Sequence, residues 1–303
     1  MSPAENPFTI YCQECWNSDQ WDSTEYGQDY DFNRPFFIQF QELQRKTPRP
    51  NLEGFQNENS PYTNYTWISK NCYLSPTTMY SENISYSRGV SNSRDCIDCL
   101  SLNECELCVE TVRSDRCHNS KFLLDCKECV DSSFLFDCVN CQNCFLSSNL
   151  RNKSFVIENQ QYSKEEYAKK IQEYKIDTID GLEETKNKFE NLISNSLHKF
   201  ARIVKSVNST GDNIRNVKNA KSCFDMFDIE DTRYSMRGWN VKNSYDLFGV
   251  DDTEWDYESV NNGYFSSHIE FSTNTHTNCL YVQYTDYCRS SSYLFGCVSM
   301  RNK

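Results

Sequence analysis

Glycine is scarce in this 303-residue chain: nine residues, about 3% against a usual value near 7%. That excludes Gly-rich nucleotide loops and collagen-like repeats. Positive charge is short too, with 31 Lys and Arg against 43 Asp and Glu, a net charge of −12. A general nucleic-acid binder needs a basic footprint on the phosphates, so direct nucleic-acid binding is not expected. Leu, Ile, Val and Phe together make up about 21% of the chain, close to the level below which chains stop folding. No apolar run approaches the roughly 18 residues of a membrane span, so no membrane partner is expected. The segment Met1 to Ile10 is polar with two prolines, unlike a signal or transit peptide. The expected location is the cytoplasm, or a virion into which the protein is incorporated.

What is present is unusual. The chain holds 17 Cys, 19 Tyr, 19 Phe, 5 Trp and 31 Asn. A core of thiols and aromatics must replace aliphatic packing. In a reducing compartment those thiols need not pair.

The Cys positions recur. Cys96, Cys117 and Cys138 follow one another at a constant offset of 21, as do Cys105, Cys126 and Ser147, and Cys108 and Cys129. The same offset relates Lys221-Ser222-Cys223-Phe224-Asp225 to Lys242-Asn243-Ser244-Tyr245-Asp246. A longer copy at offset 150 carries Cys129 to Cys279, Cys138 to Cys288, and Arg151-Asn152-Lys153 to Arg301-Asn302-Lys303. Helical repeats need about 33 residues, and a Leu-rich repeat would show its Leu ladder. The period therefore predicts a mainly β chain, a β-solenoid (β-helix) of about 21-residue coils. Stacked rungs place like residues above one another, and Asn and Ser suit the corners. Four parts are expected: an aromatic-rich arm with one short helix over 1–65, capping the first rung; a first array over 66–157; a helical hairpin over 158–206; and a second array over 207–303. Ser163 and Glu166 form a capping box that opens a helix near 164–175. A second helix near 180–205 carries the stripe Leu182, Phe189, Leu192, Ile193, Phe200, Ile203 and Val204.

The run Cys15-Trp16-Asn17-Ser18-Asp19-Gln20-Trp21-Asp22, followed by Tyr26-Gly27-Gln28-Asp29-Tyr30-Asp31-Phe32-Asn33-Arg34-Pro35-Phe36-Phe37, resembles an uncharacterised family. Its members are Cys-, Asn- and Tyr-rich repeat proteins of tailed phages and uncultured bacteria. Asn71-Cys72-Tyr73-Leu74, Ser147 to Lys153, Tyr162 to Tyr167 and Leu294-Phe295-Gly296-Cys297 fit the same pattern, which spans nearly the whole chain. The resemblance implies no reaction. It implies further Cys upstream of Cys12 and Cys15, completing a zinc ribbon, and a chain that continues past the second Arg-Asn-Lys.

Several residues could carry chemistry. Cys-x-x-Cys pairs are zinc knuckles when four thiols close a tetrahedron. The repeat Cys erode to Ser and Thr, however, which keeps size and destroys a thiolate site. They are expected to be interior and reduced. Cys12 and Cys15 lie outside the repeats and are the metal candidates, zinc being the metal. Their closure would need a partner chain or Cys72. His118, His198, His268 and His276 read as rung or surface residues, with no triad spacing. Asp225, Asp228, Glu230, Asp231, Asp246, Asp251, Asp252, Glu254 and Asp256 read as a stacked acidic set. Phe224, Phe227, Tyr234, Tyr245, Phe248, Trp255 and Tyr257 are interleaved with them. Such a face could be a solvated flank, a protein-binding surface, a glycan-cleaving site with paired carboxylates, or an ion site.

The sequence thus points to a non-catalytic structural or binding scaffold, such as a phage particle or assembly component, with a protein partner or self-association and no cofactor beyond zinc. The alternatives are a glycan-binding or glycan-cleaving solenoid and an acidic decoy of nucleic acid. The last rung, Cys288 to Lys303, is expected to present open edges, covered by a second copy, another protein or further chain.

Overall fold

A computed structural model describes residues 5–100, 119–125, 127–137 and 139–303. The expectations for Cys105, Cys108, Cys117, His118, Cys126 and Cys138 lie outside the described residues. The chain divides into two units. One runs from Leu52 to His198; the other joins the N-terminal segment up to Asn51 with Lys199–Lys303.

The elementary repeat is a triplet. From Tyr62 to Cys99, every third residue has positive φ, Tyr62, Tyr65, Ile68 and Asn71 being the first four. Each of these is followed by a buried residue, beginning Thr63, Thr66, Ser69 and Cys72. The third residue of each triplet points outward. A left-handed non-glycine residue costs about 1–2 kcal/mol, so the backbone must gain elsewhere. It does so by bonding all three N–H groups. The left-handed residue donates to a carbonyl 13 positions back, as Asn83 does to Lys70 O at 3.0 Å. The outward residue donates 11 positions ahead, as Lys70 does to Ser81 O at 2.9 Å. The buried residue donates to a buried hydroxyl 12 positions back, as Cys99 does to Ser87 Oγ at 3.0 Å and Cys144 to Ser132 Oγ at 3.1 Å. The hydroxyl then donates to its own chain two residues earlier, as Ser87 Oγ does to Ser85 O at 2.8 Å. Cys makes the same bond more weakly, Cys99 Sγ to Ile97 O at 3.1 Å. This is why Ser, Thr and Cys exchange freely in the interior.

Four triplets separate neighbouring strands. Ser133 pairs in parallel with Lys121 on one side and Phe145 on the other, an offset of 12 each way. The chain forms several such sheets: nine strands between Ile203 and Phe295, a five-stranded mixed sheet between Lys121 and Gln161, and smaller ones of four and two strands. This corrects the β-solenoid of 21-residue coils. The chain is mostly β, with multiple parallel sheets whose neighbouring strands are offset by four triplets. In part of the largest sheet the step is 13, as in Ile269 to Val282. Twenty-one is seven triplets, so it aligns buried positions with buried positions without aligning neighbouring strands.

In the unit that contains Lys199–Lys303, the N-terminal segment holds α1 (Gln13–Asn17), a 3₁₀ turn at Ser23–Tyr26 and α2 (Phe36–Lys46). Where the expectation from sequence had it capping the first rung, this segment covers the C-terminal stretch Cys288 to Lys303. Arg301 donates to Trp16 O at 2.7 Å and lies 4.4 Å over the Trp21 ring. Lys303 pairs with Asp22 at 3.0 Å, and Ser299 Oγ donates to Pro48 O at 2.9 Å. Phe36 packs on Tyr284 and Phe295 at 5.1 and 5.2 Å. Arg49 and Gln44 both bond the buried Asp286 carboxylate. The end expected to be covered by a second copy, another protein or further chain is covered by this chain's own N-terminal segment.

In the Leu52–His198 unit two helices leave the sheets, α3 (Lys164–Glu173) and α4 (Ile179–Asn195). The Ser163–Glu166 capping box is present in both directions, at 3.2 and 2.9 Å. Phe189 packs edge-on to Phe134 at 5.7 Å, and Leu182, Leu192 and Ile193 cover the same cluster of Phe136, Phe145 and Ile157. The expected stripe ends there. Helix α4 stops at Ser196, whose hydroxyl bonds both Leu192 O and Ser148 Oγ. Phe200 is fully exposed, and Ile203–Val204 is already a strand.

Candidate functional site

Cys12 and Cys15 share one turn. Cys12 has an extended backbone and caps α1, its Sγ accepting the Cys15 N–H at 3.4 Å. Both are exposed, whereas Cys72, Cys96, Cys99, Cys129, Cys141, Cys144, Cys223, Cys279 and Cys288 are buried. The Cys15 N–H, with the Cys15 thiol, draws the Cys12 thiol below its ordinary range, and Cys12 raises Cys15 in turn. Burial pushes the interior thiols the other way, as at Cys72 and Cys223. Cys72 is fully buried in the Leu52–His198 unit. Among the described residues no group of three or more His, Cys, Asp or Glu gathers around a common point.

The acidic set separates into columns rather than one face, because each triplet turns the chain. Asp225, Asp228, Asp231 and Asp252 each accept an Asn amide from the preceding strand position, between 2.5 and 3.0 Å. Glu230 sits in register between Lys218 and Lys242, and Lys242 beside Glu254. Asp256 turns inward. Acid alternates with amide or amine along each of these columns, so like charges do not stack. Asp251 accepts the Trp239 N–H at 3.2 Å, and burial pushes its carboxyl up to about 6. Asp256 is 1% exposed; its oxygens accept Thr253 Oγ at 2.5 Å and the Ile269 N–H at 2.9 Å. Burial raises it to about 6 as well.

The aromatics also form columns. Trp255, His268, Tyr281 and Tyr293 stack at 6.3, 4.3 and 5.4 Å, with the last two rings 8° from parallel. Rings stacked on one another spend their faces internally and offer mainly edges, whereas a sugar stacks on a face. A second column, Phe224, Met236, Phe248 and Val260, is in strict register on the nine-stranded sheet. Each of its members is about 40% exposed. Phe224 and Phe248 stand out in the sequence, but Met236 and Val260 do not, because only a 12-residue spacing joins the four.

His198 bonds Ile193 O at 2.8 Å, and His268 shares a 2.6 Å hydrogen bond with Ser267 Oγ. Burial, then the Arg289 charge, lowers His276 to about 4. No helix among the described residues is long and apolar enough to cross a membrane.

No protein-family model matches the chain, and no curated protein does. Among solved structures it matches one described as a "putative acetyltransferase from Desulfovibrio desulfuricans G20", at 13% identity and a TM-score of 0.16. The match covers 82% of this chain and 68% of that one. At that score the likeness carries no argument.

Proposed function

We propose that the chain is a non-catalytic scaffold that holds a protein partner on the exposed column Phe224, Met236, Phe248 and Val260. The observation that carries this reading is the column itself: four apolar side chains on consecutive strands, in register and left to solvent. Contiguous apolar surface on a regular sheet face is where protein contacts form. The neighbouring acids support it, because Asn and Lys partners use most of them and leave them poorly placed for paired-carboxylate chemistry. A component of a larger assembly, a phage particle included, would use such a surface.

The test is a photo-crosslinking residue at position 248, with position 230 as control, in the cells or particles that make the protein. A discrete protein adduct from 248 and none from 230 supports the scaffold. Equal crosslinking from both positions, or release of sugars from a polysaccharide panel by the purified chain, overturns it.

A further inference from the structure

We propose that Cys12 and Cys15 form a thiol–disulfide exchange site that reacts with small disulfides and closes into an intramolecular bridge across the first turn of α1. Three observations carry the proposal. First, these are the exposed thiols among the twelve cysteines described; nine are buried and Cys297 is half-buried. Exchange needs access, so among the described thiols the fold directs it to this pair. Second, Cys12 Sγ accepts the Cys15 N–H at 3.4 Å, which folds the Cys12 sulfur back onto the residue that carries the second thiol. A disulfide wants Cβ atoms about 3.5–4.5 Å apart, and the cap bond already draws Cys12 over the first turn of α1, so a small tightening of that turn brings the two thiols together. Third, the pair abuts the contact that holds the arm. Trp16, next in sequence, accepts Arg301 through its carbonyl and packs on Trp21 at 5.0 Å and Tyr287 at 6.3 Å.

The chemistry balances with a low-molecular-weight disulfide as oxidant. The Cys12 thiolate attacks one sulfur of the small disulfide, forming a mixed disulfide and expelling one thiolate, which takes up a proton. Cys15 then loses its proton and attacks Cys12 Sγ, expelling the second. The pair gives up two electrons and two protons, and the small disulfide becomes two thiols. The bridge closes the turn that presents Trp16 to Arg301.

The test uses the full chain in glutathione buffers of increasing oxidation, quenched with a maleimide and read by peptide mass. The expected result is a Cys12–Cys15 bridge, reversed by dithiothreitol, with the nine buried thiols described above still reduced. Cys15→Ser should instead retain one glutathione on Cys12. The oxidised wild type should show slower amide exchange over residues 10–22. The proposal fails if wild type accumulates a stable mixed disulfide, or if the pair stays reduced in strongly oxidising buffer. It fails equally if a zinc ion held by these thiols copurifies and blocks them. None of these outcomes bears on the Phe224–Val260 column, so this site and the scaffold reading can fail separately.

Discussion

The two units solve the same interior problem with different tolerance for charge. In the Leu52–His198 unit, the buried positions from Thr63 to Cys99 are Ser, Thr, Cys, Ile and Val only, on a strict 12-residue step. In the other unit, the interior passes from Val241, Leu247 and Val250 to Thr253, Asp256, Asn262 and Ser266. This change falls where the step lengthens to 13, between Thr253 and Ser266. The extra residue lies near Phe265, which is pushed out to 71% exposure. The lesson is that the strict 12-residue stretch from Thr63 to Cys99 takes hydroxyls, thiols and aliphatic side chains at its interior position, whereas the Asp256 carboxyl sits beside the relaxed step with two donors meeting it. The attached segments differ in the same spirit. The helical hairpin is held by apolar burial, the N-terminal arm by Arg and Lys on carbonyls, rings and carboxylates.

The largest expected effect breaks this contrast directly. Cys144→Asp puts a carboxylate in a strict 12-residue interior with no paired donors, at a cost of several kcal/mol. Loss of cooperative thermal unfolding by circular dichroism is the expected readout. Cys144→Ser, which keeps the bond to Gln142 O, should cost about 1 kcal/mol. If Cys144→Asp folds normally, the interior is not selective.

Next comes the hairpin. Phe189→Ala should cost about 3–4 kcal/mol, because its ring fills the cluster with Phe134. Phe200→Ala should change nothing measurable, since Phe200 is exposed. Urea titration separates the two; equal effects would mean the stripe continues past Asn195 after all.

For the arm, Asp286→Ala leaves the Arg49 guanidinium uncompensated beside a buried site, a loss of about 3 kcal/mol. Limited proteolysis should then cleave between Ser18 and Arg34 while sparing the sheet. Unchanged resistance would mean that the aromatic contacts alone hold the arm.

The smallest effect is the pH dependence of the relaxed interior. Asp256 has its folded pKa raised to about 6, so it favours the folded state when protonated. Its contribution is fully present below the ordinary carboxyl pKa near 4 and is lost as pH rises through 6, up to about 3 kcal/mol. His276, lowered to about 4, acts oppositely: stability it supplies above pH 6.5 is lost as pH falls through 4. Comparing wild type with Asp256→Asn from pH 4 to 7 isolates the carboxyl. The variant should gain relative stability toward pH 7, and a flat difference would show that Asp256 is solvated.

Much of this is legible in composition and spacing. The interior Cys columns, their replacement by Ser and Thr, and the capping box at Ser163 can be read because each is a local matter of size or of one side chain meeting one backbone group. The true step is not legible. Positions 72, 96, 99, 129, 141 and 144 are all multiples of three, so many periods fit: Cys recurs at an offset of 12, as in Cys105, Cys117, Cys129 and Cys141, as well as at 21. The acidic stripe misleads for the same reason: neighbours in sequence stand on different columns once each triplet turns the chain. Periodicity makes helix α4 too long because Phe200, Ile203 and Val204 continue its pattern, while the Ser196 hydroxyl bond that ends it is invisible in sequence.

By itself, then, the sequence determined a thiol- and hydroxyl-lined interior, left-handed positions rich in Asn and Asp, and a helix capped at Ser163. Each follows from what a residue does with its own backbone. Only the tertiary structure decided that strands step by 11, 12 or 13, that the N-terminal arm covers the stretch Cys288 to Lys303, and that Phe224, Met236, Phe248 and Val260 share a face. These depend on pairing between residues far apart in the chain, where many registers satisfy the local rules and the sum of the packed contacts selects one.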